Sequence, residues 1–596
     1  MLSCCFCPPD QVEISKRNIF EAAAEESTMA STSSSRASNS ETSVHALLMR
    51  ESKEDVFKKY ETVEILGQGS MGYVSKVKVK TDMLGGSAFQ AKINGPFPRI
   101  RGLFRKKKKE GNQSLHGIEA PTYALKMIQL DRISSVFVEE LRNEIAILRT
   151  MDHPNIVKAN EVYVYKKQIY IIMQACEGGD LYTRSPYSER GAARITAQIL
   201  SAITYMHGHG IVHRDIKYEN IMFESDEPDS QVKVIDFGLS KKFVDKPGVM
   251  TDRVGTVYTM APQVLQGIYS SQADIWAIGV ISYMLLSASK PFYHKRRRRL
   301  IDQIMRADFN FNAPVWEQIS DDGKAFVSAL LVIDPKVRLT APQSTDHPWI
   351  VNRQILSHEV PTEEVLNAVG DCLVAYKETS QLKKIALNVI AHRSTSDEIL
   401  QLRKAFETYD IRRDGIISFE EFKLAIEKME YSDEDLQEIF ESIDVNNNGR
   451  IMYTEFLAAT IEAHGHIEER RIAEAFDRID CDDSGFISKA NLKEIMGNQM
   501  SNKKIDEMMK TADTDGDNKI SYPEFLALFR KQNHALAEEA GNDAGSDEFT
   551  SSKSFDGSLV GLDAEIPGGR YDSNLDPSQR KQAEELKELS SLSVDL

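Results

Sequence analysis

Hydrophobic patterning divides the 596-residue chain into segments of different predicted structure. From residue 60 to about 350, short apolar strand-like runs come first and helical periodicity follows, which predicts a mixed α and β domain. Residues 351–400 form a predicted helical connector, because the apolar positions of "QLKKIALNVIAH" fall on one face of a helix. These apolar positions are Leu382, Ile385, Ala386, Val389 and Ile390.

Residues 400 to about 530 repeat a single pattern. Aspartate-led loops begin at positions 410, 444, 480 and 513, and a fixed period of 33 to 36 residues indicates an array of one supersecondary unit. We predict that the isoleucine at the eighth position of each loop lies on a short strand that pairs neighbouring loops. These isoleucines are Ile417, Ile451, Ile487 and Ile520.

Composition narrows the class of protein. The chain is 41% hydrophobic and 27% charged with a net charge of -17, which indicates an acidic globular protein and argues against nucleic acid as a partner. No run of eighteen apolar residues and no secretory signal is present, and six cysteines are few for this length. We therefore expect a reducing, cytoplasmic location.

Three cysteines lie close together near the start of the sequence, at Cys4, Cys5 and Cys7. Leu2 excludes N-myristoylation, which requires glycine at that position. Palmitoylation of the cysteines would give weak membrane association, because one kind of anchor holds poorly without a second signal. The alternative, which we favour, is a disordered segment with cysteines that carry no lipid.

Three motifs carry candidate chemistry. "LGQGSMGYV" has the spacing G-x-G-x-x-G-x-V, which lets backbone amides approach phosphates but is a weak signal alone. "HRDIKYEN" and "VIDFG" follow it in the order that a protein kinase requires. The residues of these motifs are Gly67, Gly69, Gly72, Val74, His213, Arg214, Asp215, Lys217, Asn220, Asp236, Phe237 and Gly238.

Residues 60–350 thus resemble the eukaryotic protein kinases, and Lys217 resembles the serine/threonine branch. The resemblance implies that Asp215 orients the substrate hydroxyl and accepts its proton. It implies that Asp236 and Asn220 hold Mg²⁺ on the phosphates of ATP. The implied adenine-binding residues are Leu66, Ala124, Met173 and Cys176, with Met173 limiting the pocket.

Two lysines are candidates for the phosphate-binding position. Lys92 in "FQAKI" is close to the glycines, whereas Lys126 in "YALKMI" follows Ala124 by two residues as the motif requires. From Lys126 a short step leads to Glu144 as its partner on the next helix, so we favour Lys126. Residues 81–120 then form an insertion between two strands, either a solvated loop or, with its "RKKKK", a surface for an anionic partner.

The kinase pattern has several departures. Gln263 stands where these kinases have a glutamate that pairs with an arginine, here Arg338, so we expect a hydrogen bond in place of the ion pair. Asp252 could supply a fixed negative charge to Arg214. The "KRRRR" run at 295–299 predicts a solvated helix start, and a docking site is the alternative.

The repeated loops fit the EF-hand pattern of ligands at positions 1, 3, 5, 7, 9 and 12. Loops 444–455 and 513–524 are intact and are predicted to bind Ca²⁺ strongly. Loop 410–421 has an arginine, Arg412, at position 3, and loop 480–491 ends on Asn491, so both are predicted to be weak. The strong ligands are Asp444, Asn446, Asn448, Arg450 through its carbonyl, Glu455, Asp513, Asp515, Asp517, Lys519 and Glu524; the weaker ones are Asp410, Asp414, Glu421, Asp480, Asp482 and Ser484.

A kinase followed by four EF-hands resembles the calcium-dependent protein kinases of plants and protists, over about residues 60–530. This resemblance implies an α+β bilobal protein kinase fold followed by an all-α, calmodulin-like EF-hand domain. It implies a calcium-activated enzyme whose connector blocks the kinase until the EF-hands bind Ca²⁺ and take up the connector's apolar face. The alternatives are a simply packed connector, a catalytically dead scaffold, and EF-hands that only stabilise the kinase.

The expected domain order follows from these assignments. It comprises a disordered segment 1–58, a kinase domain 59–350, an autoinhibitory junction 351–398, four EF-hands in 399–532, and an acidic, mostly disordered segment 533–596. We expect a monomer that acts on protein substrates and uses ATP, Mg²⁺ and Ca²⁺.

Overall fold

The computed structural model describes residues 49–68, 72–80, 121–132, 135–242, 250–355, 361–396, 398–426, 431–465, 467–496 and 501–530. The insertion 81–120 and the acidic segment after 530 lie outside these residues, as does the predicted disordered segment up to residue 48. The prediction of disorder is wrong for residues 49–58, because Arg50–Ser52 forms a strand that pairs with the kinase strand Ala159–Tyr165. No helix in the described ranges combines the length and apolar character needed to cross a membrane.

The small lobe of the kinase is a six-stranded sheet with one flanking helix. The sheet order is β1-β5-β6-β4-β3-β2, in which β1 is parallel to β5 and all other neighbours are antiparallel. Strands β3 and β4 pair directly on either side of the predicted insertion. The elements are β1 (Arg50–Ser52), β2 (Tyr60–Gln68), β3 (Gly72–Val79), β4 (Thr122–Gln129), α1 (Ser135–Thr150), β5 (Ala159–Tyr165) and β6 (Gln168–Gln174).

The large lobe is mostly helical and surrounds helix α4, which is buried on nearly every side. Several helices begin where the sequence supplies a capping side chain; the Ser188 hydroxyl, for example, accepts from the Gly191 amide at the start of α2. The elements are α2 (Glu189–Gly208), β7 (Ile211–Val212), β8 (Ile221–Phe223), β9 (Val232–Val234), β10 (Lys241–Lys242), α3 (Pro262–Gln266), α4 (Gln272–Ser287), α5 (Arg297–Arg306), α6 (Asp321–Leu330), α7 (Ala341–Thr345) and α8 (Pro348–Ile355). Strand β7 pairs with β10, and β8 with β9.

The C-terminal half of the described chain consists of the connector and four helix–loop–helix units. The connector contains α9 (Glu363–Tyr376) and α10 (Gln381–Arg393). The units contain α11 (Leu400–Tyr409), β11 (Ile416–Ser418), α12 (Phe419–Ile426), α13 (Asp433–Ile443), β12 (Arg450–Met452), α14 (Tyr453–Thr460), α15 (Glu469–Ile479), β13 (Phe486–Ile487), α16 (Lys489–Met496), α17 (Asn502–Ala512), β14 (Ile520–Ser521) and α18 (Tyr522–Arg530).

The predicted pairing of the loops is confirmed. Ile417 is in register with Ile451, and Ile487 with Ile520, so the first loop pairs with the second and the third with the fourth. All four isoleucines are fully buried. Each pair of loops is therefore one packed unit, as the shared position of the isoleucines indicates.

The prediction that α10 buries a single apolar face was too narrow. Every residue of α10 from Leu382 to His392 is buried, including Lys383, Lys384 and Asn388. Helices α14 and α15 both pack on α10, which therefore lies within the EF-hand core. The Lys384 ammonium is satisfied there by the carbonyl of Ser442, 3.0 Å away.

The first EF-hand pair also packs against the kinase. Ile416 of β11 and Met452 of β12 belong to the same hydrophobic cluster as the large lobe. Gly415 lies so close to the His153 ring of the kinase that an added Cβ would be 2.0 Å from it. Two residues of the first EF-hand pair thus extend the kinase core, whereas the rest of the pair packs with the connector in a separate core.

Candidate active site and calcium-binding loops

The candidate phosphate-binding lysine lies in a charged triad between the lobes. Lys126 of β4 donates to Glu144 of α1 over 2.7 Å and to Asp236 over 3.3 Å. Burial alone would lower the pKa of Lys126, but the two carboxylates outweigh it and hold that pKa above its ordinary value. Burial likewise opposes ionisation of Asp236, yet Lys126 keeps the pKa of Asp236 below its ordinary value. Lys92, the competing lysine, lies outside the described residues.

The candidate catalytic aspartate is held in place by its neighbours. The Asp215 carboxylate accepts from the Asn220 side chain at 3.1 Å and from the Thr256 hydroxyl at 2.8 Å. Lys217 lies 2.9 Å from the same carboxylate and donates to the Thr256 hydroxyl at 3.2 Å. Three polar side chains thus surround one nearly buried carboxylate, an arrangement suited to hold a substrate hydroxyl for proton transfer.

Asp274 is a supporting residue that the motif search missed. It is buried in α4, and its carboxylate accepts the backbone amides of His213 at 3.0 Å and Arg214 at 2.9 Å. Arg214 has a positive φ of 71°, so these bonds stabilise an uncommon backbone conformation just before Asp215. A lone aspartate inside the apolar run "ADIWAIGV" was the available signal.

Strand register brings the predicted nucleotide-binding residues together. Gly67 of β2 lies opposite Val74 of β3, and Val74 lies opposite Lys126. Ala124 lies opposite Met173 of β6. A Cβ at position 72 would lie 1.7 Å from a carbonyl oxygen of β4, so this close approach of the strands requires glycine.

Two further predicted residues flank this surface. Leu66 is 55% exposed on β2, and Cys176 follows the end of β6. Burial raises the pKa of the Cys176 thiol to about 12. Gly69 lies outside the described residues.

At the two departures from the kinase pattern, Gln263 and Asp252, the structure shows a contact with the expected arginine. Arg338 donates to the Gln263 amide oxygen at 3.1 Å, so the glutamine keeps a hydrogen bond where the ion pair is lost. Arg214 donates to Asp252 at 3.1 Å, which confirms the predicted contact of a fixed carboxylate with that arginine. Both contacts connect the activation segment to the large lobe.

The two intact EF-hand loops have donor sets that fit Ca²⁺. In loop 513–524, the carboxylates of Asp513, Asp515 and Asp517 each offer an oxygen within 4.8 Å of the others. Asn518 has a φ of 62°, so asparagine adopts here the left-handed conformation that glycine supplies in the other three loops. In loop 444–455, Glu455 Oε1 accepts from the backbone amide of Asn446 at 3.3 Å and from its side chain at 3.0 Å, so the last ligand already faces the third position.

The other two loops fit Ca²⁺ less well. Asn491 Oδ1 accepts from the Ser488 amide at 2.7 Å, the contact that Glu524 makes with Ser521 in the next loop. The Asn491 amide nitrogen then donates to Asp482 at 3.2 Å, so a donor occupies the place of the second glutamate oxygen. In loop 410–421, the side chain at position 3 is the exposed cation of Arg412.

Polar contacts between the kinase and the EF-hands were not predicted. The Asp152 carboxylate accepts the Thr454 amide at 2.8 Å and its hydroxyl at 2.7 Å, so a kinase residue caps the start of α14. Arg403 of α11 donates to Glu224 at 2.7 Å, beside strand β8. Thr454 directly precedes Glu455, so the kinase contact adjoins the last ligand of the second calcium loop.

Comparison with known proteins agrees with this geometry. The protein kinase domain family matches residues 113–350, and the EF-hand domain pair family matches residues 399–461 and 469–530. Calcium-dependent protein kinase 29 of Arabidopsis thaliana is 36% identical over 403 residues, covering 66% of this chain and 74% of the relative. Calcium-dependent protein kinase 21 of the same plant is 35% identical over 422 residues, covering 69% and 78%. Calcium-dependent protein kinase 15 of Oryza sativa subsp. japonica is 36% identical over 406 residues, covering 66% and 73%.

A bilobal kinase fold with a complete set of candidate phosphotransfer groups, joined to paired EF-hands, defines a serine/threonine protein kinase regulated by calcium. The chain belongs to the calcium-dependent protein kinase family. Nothing in the fold or the comparisons favours the alternative of a catalytically dead scaffold.

Proposed function

We propose that this kinase transfers the γ-phosphate of ATP to serine and threonine hydroxyls of proteins through Lys126, Asp215, Lys217, Asn220 and Asp236. Mg²⁺ held by Asp236 and Asn220 would neutralise charge on the phosphates. Asp215 would orient the acceptor hydroxyl and take its proton, and Lys126 would bind the phosphates. The 2.7 Å contact between Lys126 and Glu144 supports this assignment, because it holds the lysine at the cleft.

We further propose that the connector is the regulatory element. The burial of α10 on all sides within the EF-hand core carries this proposal, because α10 cannot block the kinase while it is held there. Calcium would hold the EF-hands around α10 and against the kinase. Without calcium, α10 would leave the EF-hand core and block catalysis.

Calcium binding is proposed for loops 444–455 and 513–524, with weaker binding at the other two. The three clustered aspartates of the fourth loop support this ranking, as do the cation of Arg412 in the first loop and the amide donor of Asn491 in the third. Calorimetric titration should resolve two strong sites. Four sites of equal affinity would contradict the ranking.

One assay tests the regulatory proposal. Phosphorylation of a peptide is measured with calcium and with chelator, on the full chain and on a chain ending near residue 355. The full chain should require calcium, and the shortened chain should not respond to it. Equal activity of the full chain in both conditions would indicate EF-hands that only stabilise the kinase, whereas inactivity throughout would favour a scaffold.

We also propose a monomeric cytoplasmic enzyme acting on proteins. Cys4, Cys5 and Cys7 lie outside the described residues, so membrane association through them stays a prediction. Labelling with a palmitate analogue, compared with a variant in which all three are serine, tests it.

A further inference from the structure

The sequence run 295–299 forms a surface that the proposed phosphotransfer chemistry does not use, which we call the basic patch. Its five consecutive cations are all exposed at the start of helix α5. In the parts of the chain that the structure describes, none of them forms an ion pair. Cations are unfavourable at a helix N-terminus and repel one another, so an anionic partner would relieve both effects.

The basic patch is concave and its base is fixed. Tyr293, His294, Lys295, Arg296 and Arg299 line a shallow cavity of about 470 Å³. His294 Nδ1 accepts the Arg296 amide at 2.9 Å, which fixes the turn. The preceding Phe292 is buried and stacks on Trp276 with ring centroids 5.7 Å apart, so the turn is attached to the core of the large lobe.

A series of contacts connects the basic patch to the acceptor site. Thr256 contacts Asp215, and the Tyr258 hydroxyl two residues later donates to Glu219 at 2.8 Å. The Lys290 ammonium lies 4.3 Å from the centre of the Tyr258 ring. Helix α3, which follows this segment, packs on α5. A substrate that presents its hydroxyl to Asp215 therefore lies beside the segment that leads to the patch.

We infer that the basic patch binds a run of aspartate or glutamate residues in the protein substrate, some residues away from the phosphorylated hydroxyl. The inference rests on the proposed kinase function. Six chain steps separate Lys290 from Arg296, a reach of at most about 20 Å, and the contacts through Thr256 and Tyr258 add the distance from Lys290 to Asp215. The acidic run would therefore lie roughly six to twelve residues from the acceptor.

The test compares peptides that share one phosphorylated serine and differ only in a block of four residues at that distance. The block is glutamate or glutamine, placed before the serine in one pair and after it in another. For the unaltered full chain with calcium, one glutamate peptide should have a KM on the order of fivefold below its glutamine partner, because several exposed ion pairs act together. The ratio should approach one as ionic strength rises from about 0.05 M to about 0.5 M.

Two double variants locate the effect. Arg296→Gln/Arg299→Gln should bring the KM ratio close to one, whereas the charge-matched control Lys166→Gln/Lys336→Gln, at exposed sites elsewhere on the kinase, should keep it. Equal KM values for both pairs with the unaltered chain would overturn the inference. So would a ratio that survives Arg296→Gln/Arg299→Gln.

Two further measurements separate the inference from other outcomes. If no peptide is phosphorylated, the proposed function fails, and fluorescence anisotropy of the labelled peptides still decides whether the patch prefers the glutamate peptide. Vesicles of phosphatidylcholine and phosphatidylserine test the other anionic surface. Vesicle binding that Arg296→Gln/Arg299→Gln abolishes, without any peptide preference, would overturn the inference in favour of a membrane contact.

Discussion

The contact between Asp152 and Thr454 gives a direct test of how the EF-hands control the kinase. Thr454→Val keeps the shape of the side chain but removes the hydroxyl that donates to the buried Asp152 carboxylate over 2.7 Å. A hydrogen bond to a charged group contributes roughly 1.5–3 kcal/mol, and a buried acceptor that loses its donor carries that cost. This loss of hydrogen-bond energy affects only the docked arrangement, in which the first EF-hand pair packs on the kinase. When the two domains separate, water can donate to Asp152 instead.

This energy corresponds to a decrease of roughly tenfold to a hundredfold in the docking equilibrium. If docking accompanies activation, Thr454→Val should raise the calcium concentration needed for half-maximal activity. The assay is peptide phosphorylation over a calcium titration. Thr454→Ser keeps both donors and is the matched control, so it should behave like the unaltered chain.

Two results would refute the reasoning. Half-maximal activity of Thr454→Val at an unchanged calcium concentration would mean that the contact does not contribute to activation. Activity of Thr454→Val in chelator would mean that the docked arrangement inhibits the kinase, the opposite of our proposal.

Three further predictions follow from individual side chains. Asn491→Glu should add a calcium site in calorimetric titration and lower the calcium needed for activity, since it restores a second carboxylate oxygen; an unchanged stoichiometry would count against it. Asp252→Ala should lower the rate of peptide phosphorylation because Arg214 loses its carboxylate partner, and a full rate would show that this contact is dispensable. Burial lowers the pKa of Lys158 from 10.5 to about 8, so the penalty for its charge is full below pH 8 and declines from there to pH 10.5. Lys158→Met should therefore raise the melting temperature more at pH 7 than at pH 9, and an equal shift at both would refute that cause.

The order of domains and the calcium loops could be predicted because the residues that identify each of them lie close together in the sequence. Kinase motifs occur in a fixed order, and each EF-hand loop contains its ligands within twelve residues. Even the choice of Lys126 over Lys92 used only local information, namely Ala124 two residues before it and the distance to Glu144 along the chain. The structure places Lys126, Glu144 and Asp236 together, in agreement with that choice.

Long-range packing could not be predicted in the same way. Lys383, Lys384 and Asn388 give α10 a polar side, which a periodicity argument assigns to solvent. The structure buries that side because α14 and α15 pack around the helix. Neighbouring elements supply the polar partners, such as the Ser442 carbonyl of α13 for Lys384 and the Tyr376 hydroxyl of α9 for Asn388. The contact of Asp152 with Thr454 joins residues 302 positions apart; Asp152 belongs to no motif, and Thr454 is not at a ligand position of its calcium loop.

The strands of the first EF-hand pair are covered by the kinase, whereas those of the second pair are more exposed. We expect this difference to affect the rate of calcium release from each pair rather than the affinity for calcium. Ile416 of the first pair is 8% exposed beneath the kinase, whereas Phe486, at the same loop position in the second pair, is 37% exposed. The second pair meets the kinase through a partly exposed ion pair of Arg50 with Asp483, 3.2 Å apart, and such a pair contributes little, so we expect calcium to leave this pair with less disruption of the domain contact. The last ligand of the second loop, Glu455, adjoins the contact of Thr454 with the kinase. This loop would have to separate from the kinase before helix α14 could change position on calcium release. Calcium release from the first pair would then be slower than calcium release from the second pair. The kinase would therefore stay active for a period after a calcium pulse has ended.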